Sequence, residues 1–403
     1  MLYYHFIKSL LKLPEQFSVS IQESANHPVI IVTQQRTTQL CPSCGTSTNL
    51  VHDYRAQKVR DIPLQQEAFS LVFRKRRYVC PHCSKRFYEE NPFLTHYQRQ
   101  TNRHRLHILA ALSEQRTIRS IANEFFCSPG VIRRIMKQIH YPKPTQLPRV
   151  LAIDEFKGNV GDKFQCLLVD PENKTVLDVL PNKNSEALYA YFNAYPKEVR
   201  NQVNYIVMDL STQFSSVMRA CFPKAEIVAD KFHVVRLINW ALEKVRKEEQ
   251  KKFHSHRRKY FKRSRTLLLL HKAKLNAAQK EQLALMLEVS PRIRMAYGLK
   301  ELFYEMMQGR TEREVQERYK RFLNHAMEAN IDVFQKHIPT IHKWFHAILL
   351  GILTGYTNGF IEGCNNRTKV LKRLSYGLRN FDLFRNRLLH IANNTTQRSR
   401  ARL

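Results

Sequence analysis

Acidic residues are scarce in this sequence: 34 Asp and Glu stand against 66 Lys and Arg, leaving a formal charge of +32. That is far more than the few units that solubility requires, and such an excess wants a polyanion. Long apolar runs are missing as well. The longest, residues 347–353, contains a glycine and is much too short to span a bilayer. Nucleic acid is therefore the better partner, because each neutralised phosphate releases condensed counterions and drives association. The first residues, MLYYHFIKSLLKLPEQ, lack the small-residue cleavage site of a secretory signal. They read as a short amphipathic helix, and the cytoplasm is the expected compartment. A disulfide framework is not indicated either. Of eight cysteines, Cys41, Cys44, Cys80 and Cys83 form two CxxC pairs, which points to metal, while Cys127, Cys166, Cys221 and Cys364 are scattered and read as inert thiols.

What is present is enough chain, 403 residues with 43% hydrophobic, for two or three domains with their own cores. Residues 17–33 alternate apolar and polar positions around an Asn26-His27-Pro28 break, which predicts a pair of strands. CPSCG follows, and after 35 intervening residues CPHC, preceded by the strand-like FSLVFRKRRYV. Two CxxC knuckles joined by β-structure describe a zinc ribbon over residues 1–97, with Zn²⁺ held by Cys41, Cys44, Cys80 and Cys83 in place of a large core. His52 and His82 are near enough to substitute, but four thiolates already fill a structural site. Residues 98–140 turn helical, and TIRSIANEF and SPGVIRRIMKQI have helix-turn-helix spacing, with Ser128 and Pro129 opening the second helix. That helix would offer Arg133, Arg134 and Lys137 to a DNA major groove; a small helical bundle with a solvated basic face is the plainer reading. Three prolines in residues 141–149 mark a linker.

Residues 150–235 become α/β. RVLAIDEF, KFQCLLVD and TVLDVLP, joined by the turns GNVGD and PENK, predict an antiparallel meander; later strands alternate with helices and predict parallel neighbours. This order, β-β-β-α-β-α-β-α, is that of a ribonuclease-H-like fold. Residues 236–350 show no strand pattern and read as an all-helical insertion, its basic stretch at 244–274 holding thirteen Lys or Arg against two Glu. Residues 351–403 supply the final helix of the catalytic domain and a basic C-terminal segment. The expected fold class is multidomain α+β.

Asp154 falls within the first strand of the α/β domain and Asp209 at the end of the fourth, which should be its neighbour. Adjacent carboxylates repel unless a hard cation lies between them, so Mg²⁺ or Mn²⁺ is the expected occupant. Two such ions about 4 Å apart can serve an in-line phosphodiester displacement. Glu362 offers a third carboxylate, and Asn366, Lys369 and Arg373 follow it on one helical face. With Arg367 and Lys372, they would hold the DNA strand under attack. Glu155, Asp170 and Asp178 are rival acids, and only one of Asp154 and Glu155 can face the side of Asp209. Asp230 and His233 form a further pair, readable either as catalytic support or as a helix cap with a packing histidine.

At these residues the chain resembles the DDE insertion-sequence transposases of bacteria, of the ISL-three type, over nearly its full length. The resemblance is carried by CPSCG, VRDIPLQQEAFSLVFRKRRYVCPHCSKRF, LAIDEF, VMDLS, ADKFHVVRLINW and NGFIEGCNNRTKVLKRLSYGLRNFDLFRNRLL. It departs at residues 61–66, DIPLQQ, where a glycine is expected in the turn. It implies that Asp154, Asp209 and Glu362 are the catalytic acids. It also implies that Asp230 and His233 are the Asp-x-x-His signature preceding the insertion. The ribbon and helix-turn-helix would bind terminal inverted repeats, on bacterial nucleoid DNA. The expected activity is cleavage of both element ends and joining of their 3′-hydroxyls to target DNA, by at least a homodimer. A co-opted DNA-binding regulator without chemistry, or a nuclease without joining activity, are the rival readings. The residues alone reach a basic, zinc-containing, metal-dependent nuclease-like protein on DNA.

Overall fold

The computed structural model describes residues 2–22, 29–63, 67, 69–89, 98–158, 164–263, 265–375 and 378–400. The break at Asn26-His27-Pro28, residues 64–66 of the glycine-less phrase, and the turn GNVGD beyond Gly158 lie outside them. The chain divides into two compact units: residues from 1–141, 370–378 and 382–395 form one, and the remainder, chiefly 142–369, the other.

The first unit begins with α1 (Leu2–Leu10), β1 (Phe17–Gln22), β2 (Val29–Gln34), β3 (Gln39–Leu40), β4 (Ser47–Thr48), β5 (Val51–Val59), β6 (Ser70–Val79) and β7 (Arg86–Tyr88). The strand pair expected in residues 17–33 is the antiparallel β1–β2 hairpin. It joins a sheet of order β1-β2-β6-β5, with β7 on β6, and only β2–β6 is parallel. Alternation along these strands buries Phe17, Ile30, Val32, Leu71 and Phe73 on one face, which Ile7 and Leu11 of the amphipathic α1 region cover. Three helices follow: α2 (Asn102–Leu112), α3 (Ile118–Glu124) and α4 (Pro129–Met136). Thr101 and Thr117 cap the first two through their side chains, whereas Ser128 stands at the N-cap of α4 without a side-chain bond and Pro129 sets the first turn. Phe126, at φ 46°, makes the tight turn between α3 and α4.

The second unit is built on β8 (Val150–Lys157), β9 (Phe164–Asp170) and β10 (Thr175–Leu180), then α5 (Ser185–Asn193), α6 (Lys197–Arg200), β11 (Tyr205–Met208), α7 (Thr212–Cys221), β12 (Glu226–Ala229) and α8 (Lys231–Lys251). Its sheet has the order β10-β9-β8-β11-β12: the first three strands are an antiparallel meander, and β8, β11 and β12 run parallel. Parallel strands buried on both faces read as unbroken apolar runs, which is the pattern of VLAI in β8 and YIVM in β11. Then come only helices: α9 (Ser255–Arg263), α10 (Arg265–Leu269), α11 (Ala277–Val289), α12 (Pro291–Met306), α13 (Glu312–Ala329), α14 (Asp332–Gln335), α15 (Ile338–Lys343) and α16 (Phe345–Thr354). Asn276, Ser290 and Thr311 cap α11, α12 and α13 through their side chains. Buried Val234, Ile238, Ala241, Leu242 and Val245, spaced for one helical face, make α8 the shared wall between sheet and insertion. Among the described residues no helix is long and apolar enough to cross a membrane.

The C-terminal region consists of α17 (Gly359–Leu374) and α18 (Phe381–Arg400). Here the division of the chain differs from the expected one, which kept residues 351–403 with the catalytic domain. Residues 370–378 and 382–395 group with the N-terminal unit. The cause is packing: Phe384, Arg387, Leu388 and Leu389 of α18 are buried. Arg387 donates to the carbonyl of Arg116, and His390 Nε2 bonds the carbonyl of Leu109 at 2.9 Å. Desolvation pulls the Arg387 guanidinium down to about 10.

Gly351 brings α16 against the end of β12, because a Cβ there would lie 2.7 Å from the carbonyl oxygen of Ala229. Gly351→Ala should therefore push helix and strand apart and cost about 1–3 kcal/mol, read as a lower urea midpoint. An unchanged midpoint would show that the helix shifts freely.

Candidate functional site

Among the described residues, two groups of side chains have the composition of metal centres. The first is made by two knuckles with the same backbone. In each, the first cysteine's amide donates to the residue five places on, Cys41 to Thr46 at 2.9 Å and Cys80 to Lys85 at 2.9 Å. Its carbonyl accepts from the residue four places on, Gly45 or Ser84. Both closing residues have positive φ, 71° at Gly45 and 56° at Ser84. The four Sγ atoms converge: Cys44 lies 3.5 Å from Cys80 and 3.4 Å from Cys83, and Cys41 lies 3.5 Å from Cys83. A disulfide would need about 2.05 Å, whereas the edges of a zinc–thiolate tetrahedron are about 3.8 Å. The four cysteines therefore fit Zn²⁺. Without a metal the clustered thiols shift one another: Cys44, bonded by the hydroxyl and amide of Thr46, is lowered to about 5, whereas Cys83, despite the lowering bond from Lys85, is raised to about 12 by Cys44 and its other sulfur neighbours. His52 lies 3.4 Å from Asp53 and 3.3 Å from Arg77, and neither His52 nor His82 belongs to the group. Burial raises Cys127 and Cys221 and pushes Cys166 to about 12 and Cys364 to about 11, which disfavours their thiolates.

The second group comes from strand register. β8 and β11 pair Val150 with Tyr205 through Ala152 with Val207, and β11 and β12 pair Tyr205 with Glu226 through Met208 with Ala229. Continuing both ladders by one or two residues sets Asp154, Asp209 and Asp230 in a single row, at the ends of β11 and β12 and midway along β8. The Asp230 amide bonds the Met208 carbonyl at 3.0 Å, so the second ladder does continue. His233, in the first turn of α8, closes this row: its Nδ1 is 2.9 Å from Asp230 Oδ2 and 2.6 Å from Asp209 Oδ1. Asp209, Asp230 and His233 place ligand atoms within 4.8 Å of one another. Asp230 stands at the N-cap of α8 yet caps no amide there; its other oxygen accepts from the Asn358 amide at 3.0 Å.

Electrostatics follow from this crowding. Burial and then the neighbouring Asp209 raise Asp154 to about 7. Burial opposes a charge on His233, but bonds to Asp209 and Asp230 prevail and raise it to about 9. Burial likewise opposes ionisation of Asp230, and the bonds from His233 and Asn358 outweigh it and hold the carboxyl below its usual range.

The three rival acids are engaged elsewhere. Glu155 points to the other face and accepts from Lys183 at 2.5 Å. Asp170 closes the turn before β10 by accepting from the amides of Glu172 and Asn173 at 3.0 Å. Asp178 accepts from its neighbour Val179 and from the Tyr191 hydroxyl.

Glu362 is exposed in the first turn of α17 and is not gathered into the group of Asp209, Asp230 and His233. What reaches the sheet is Asn365, one turn later, whose Nδ2 donates to Asp154 Oδ2 at 2.6 Å. Asn358 and Asn365 were both missed by the sequence reading, which singled out the adjacent, exposed Asn366. The spacing of Asn365 from Glu362, three residues, was the available signal. Lys369 donates to Asn366 at 3.4 Å; Arg367, Lys369 and Arg373 are exposed and Lys372 is half-buried. On α4, Arg133 and Arg134 are exposed, as is Lys137 at its C-cap.

The aspartate row also has oxygens to spare. Asn358 Oδ1 and Asn365 Oδ1 are buried without a hydrogen-bond donor, a costly state unless a cation or water satisfies them. A hard divalent ion with oxygen ligands fits this donor set.

A family model described as transposase matches residues 151–388, more than half of the chain. One described as the zinc-finger of transposase IS204/IS1001/IS1096/IS1165 matches residues 37–83, which contain all four clustered cysteines. Among curated proteins, the transposase for insertion sequence element IS1001 of Bordetella parapertussis is 25% identical over 353 residues, 86% of each chain. The transposase for insertion sequence element IS1557 of Mycobacterium tuberculosis is 23% identical over 257 residues, 57% of each.

Chelating the metal should expose the four clustered thiols to a thiol reagent and melt the β3–β4 region, seen as lost strand signal in circular dichroism. A chelated protein with unchanged thiol reactivity and spectrum would count against a structural zinc. In metal-free protein, the raised Asp154 lends stability that is complete below pH 3.8 and lost as pH rises through about 7. At pH 8, Asp154→Asn should therefore stabilise the metal-free protein by roughly 2–4 kcal/mol. Equal urea midpoints for both proteins at pH 8 would refute the strain.

Proposed function

The chain belongs to the ISL-three family of insertion-sequence transposases, and we propose that it binds the two ends of its own element, cleaves a phosphodiester at each, and joins the freed 3′-hydroxyls to target DNA. The observation that carries this reading is the row of Asp154, Asp209 and Asp230, with unsatisfied oxygens beside it at the open end of the parallel strands. The strand order β10-β9-β8-β11-β12 supports a ribonuclease-H-like catalytic domain. In such open sheets, ligands bind at the carboxyl ends of the strands.

Mg²⁺ or Mn²⁺ would be held by Asp154 and Asp209, with Glu362 as the third carboxylate; when bound, it supplies the positive charge that activates an attacking oxygen and steadies the departing one. The protein's own residues prepare that place. Asn365 fixes one oxygen of Asp154, and the Glu155 amide fixes the other at 2.8 Å. His233 sets its Nδ1 between Asp209 and Asp230, where its charged form offsets their repulsion. Asn366, Arg367, Lys369, Lys372 and Arg373 would follow the backbone of the strand under attack. Arg133, Arg134 and Lys137 would enter a major groove as part of a helix-turn-helix, beside a zinc ribbon that also binds the terminal repeats. Engaging two ends calls for at least a dimer. The protein would work in the cytoplasm, on the nucleoid.

Asp154→Asn is expected to lower Mg²⁺-dependent cleavage of end DNA by roughly a hundred- to a thousand-fold, as for loss of a main electrostatic element, while binding persists in a gel-shift assay. Full cleavage by that variant removes Asp154 from the site. Absence of cleavage in the unaltered protein across a Mg²⁺ titration would favour a DNA-binding regulator.

A further inference from the structure

Helix α8 leaves Asp230 with His233 in its first turn, and along its outer side runs a stripe that the metal site does not use. Phe232, Arg236, Trp240 and Lys244 follow one another at four-residue steps, which keeps them near one face. Phe232 is 54% and Trp240 56% exposed, a poor use of two large aromatic rings unless something covers them. Arg236 lies between them, its guanidinium carbon 5.7 Å from the Phe232 ring centroid and 4.9 Å from that of Trp240. Its Nε is buried with no acceptor, and among the described residues Arg236 makes no ion pair. The stripe is continuous with the aspartate row: the Phe232 ring stands edge-on to His233, with centroids 5.6 Å apart and an interplanar angle of 88°. Arg236 is also close enough for its charge to oppose protonation of His233.

An aliphatic partner would leave the guanidinium uncompensated, and duplex DNA already has its bases stacked on one another. A nucleotide taken out of the stack satisfies both halves, with its base on an aromatic face and its phosphate on the cation. We propose that Phe232, Arg236 and Trp240 form a stacking site for an unpaired nucleotide of the DNA strand beside the bond to be cut. The base lies on Trp240 and the phosphate meets Arg236, with Lys244 farther along the same strand. This rests on the reading that the aspartate row is where DNA is cleaved. The role is positional: the site holds the strand open next to the row without touching the reacting atoms.

The full-length protein has two tryptophans, and Trp344 is buried, so quenching by added DNA reports chiefly on Trp240. The probe is a duplex with a two-nucleotide single-stranded flap carrying 2-aminopurine, compared with a blunt duplex of the same length. The flap should quench tryptophan emission and change the 2-aminopurine signal, and the blunt duplex should do neither. Trp240→Ala should abolish the 2-aminopurine response and weaken flap binding about ten-fold, leaving blunt-duplex affinity unchanged; Trp240→Phe should keep the response. Arg236→Gln should weaken flap binding several-fold and reduce its salt dependence. An undiminished response in Trp240→Ala, or equal quenching by blunt duplex, overturns the proposal. In the same assay Asp154→Asn should keep the stacking signal. An Asp154→Asn protein that still cleaves sinks the catalytic reading, while the stacking site is judged by the Trp240 variants alone.

Discussion

The catalytic unit depends on one constraint: three parallel strands must hold a register that brings three carboxylates abreast. Such a row is electrostatically unfavourable in the apo protein, which is why burial and Asp209 push Asp154 up to about 7. The surrounding residues offset the repulsion locally. A single histidine nitrogen serves two of the aspartates, an amide from Asn358 serves the third oxygen in line, and Asn365 ties down Asp154. The apolar body of the sheet, with Ala152, Ile153, Val207 and Val228 buried, gives this cluster a rigid base that cannot relax by spreading. Strain of this kind is what a bound cation would relieve.

What the sequence disclosed divides by range of interaction. The zinc knuckles are local devices: CPSCG and CPHC carry their own turns, and their convergence needs only one hairpin between them. The start of α4 at Ser128 and Pro129 was legible for the same reason, since a helix start is set within a few residues. The meander and the parallel strands followed from alternating element types. Asp154 could be separated from Glu155 only on the assumption that Asp209 faces the same way, and the lysine partner of Glu155 shows how the two diverge.

Long-range facts were not legible. Asp230 and His233 could be read equally as a helix cap, because no local pattern tells that the oxygens of Asp230 meet the His233 ring and the distant Asn358 amide. Asn365 escaped notice for a subtler reason. Asn366 lies on the charged stripe with Lys369 and Arg373, and periodicity favours a residue that shares a stripe over one that reaches across to a strand. The membership of α18 was likewise hidden: FDLFRNRLLHI is amphipathic whatever it packs on, and nothing in it names Arg116 or Leu109 as the partners of its buried arginine and histidine.

Helix α8 has a further consequence. With 21 residues it spans about 30 Å, and the aspartate-bound histidine occupies only its first turn. The rest of the rod is clamped by the insertion, where Arg246 is sealed between Glu243 and the carbonyl of Phe261, and Glu249 accepts from Ser290. The helical insertion thus fixes the direction of the rod, and with it the place of the imidazole that the rod carries in its first turn.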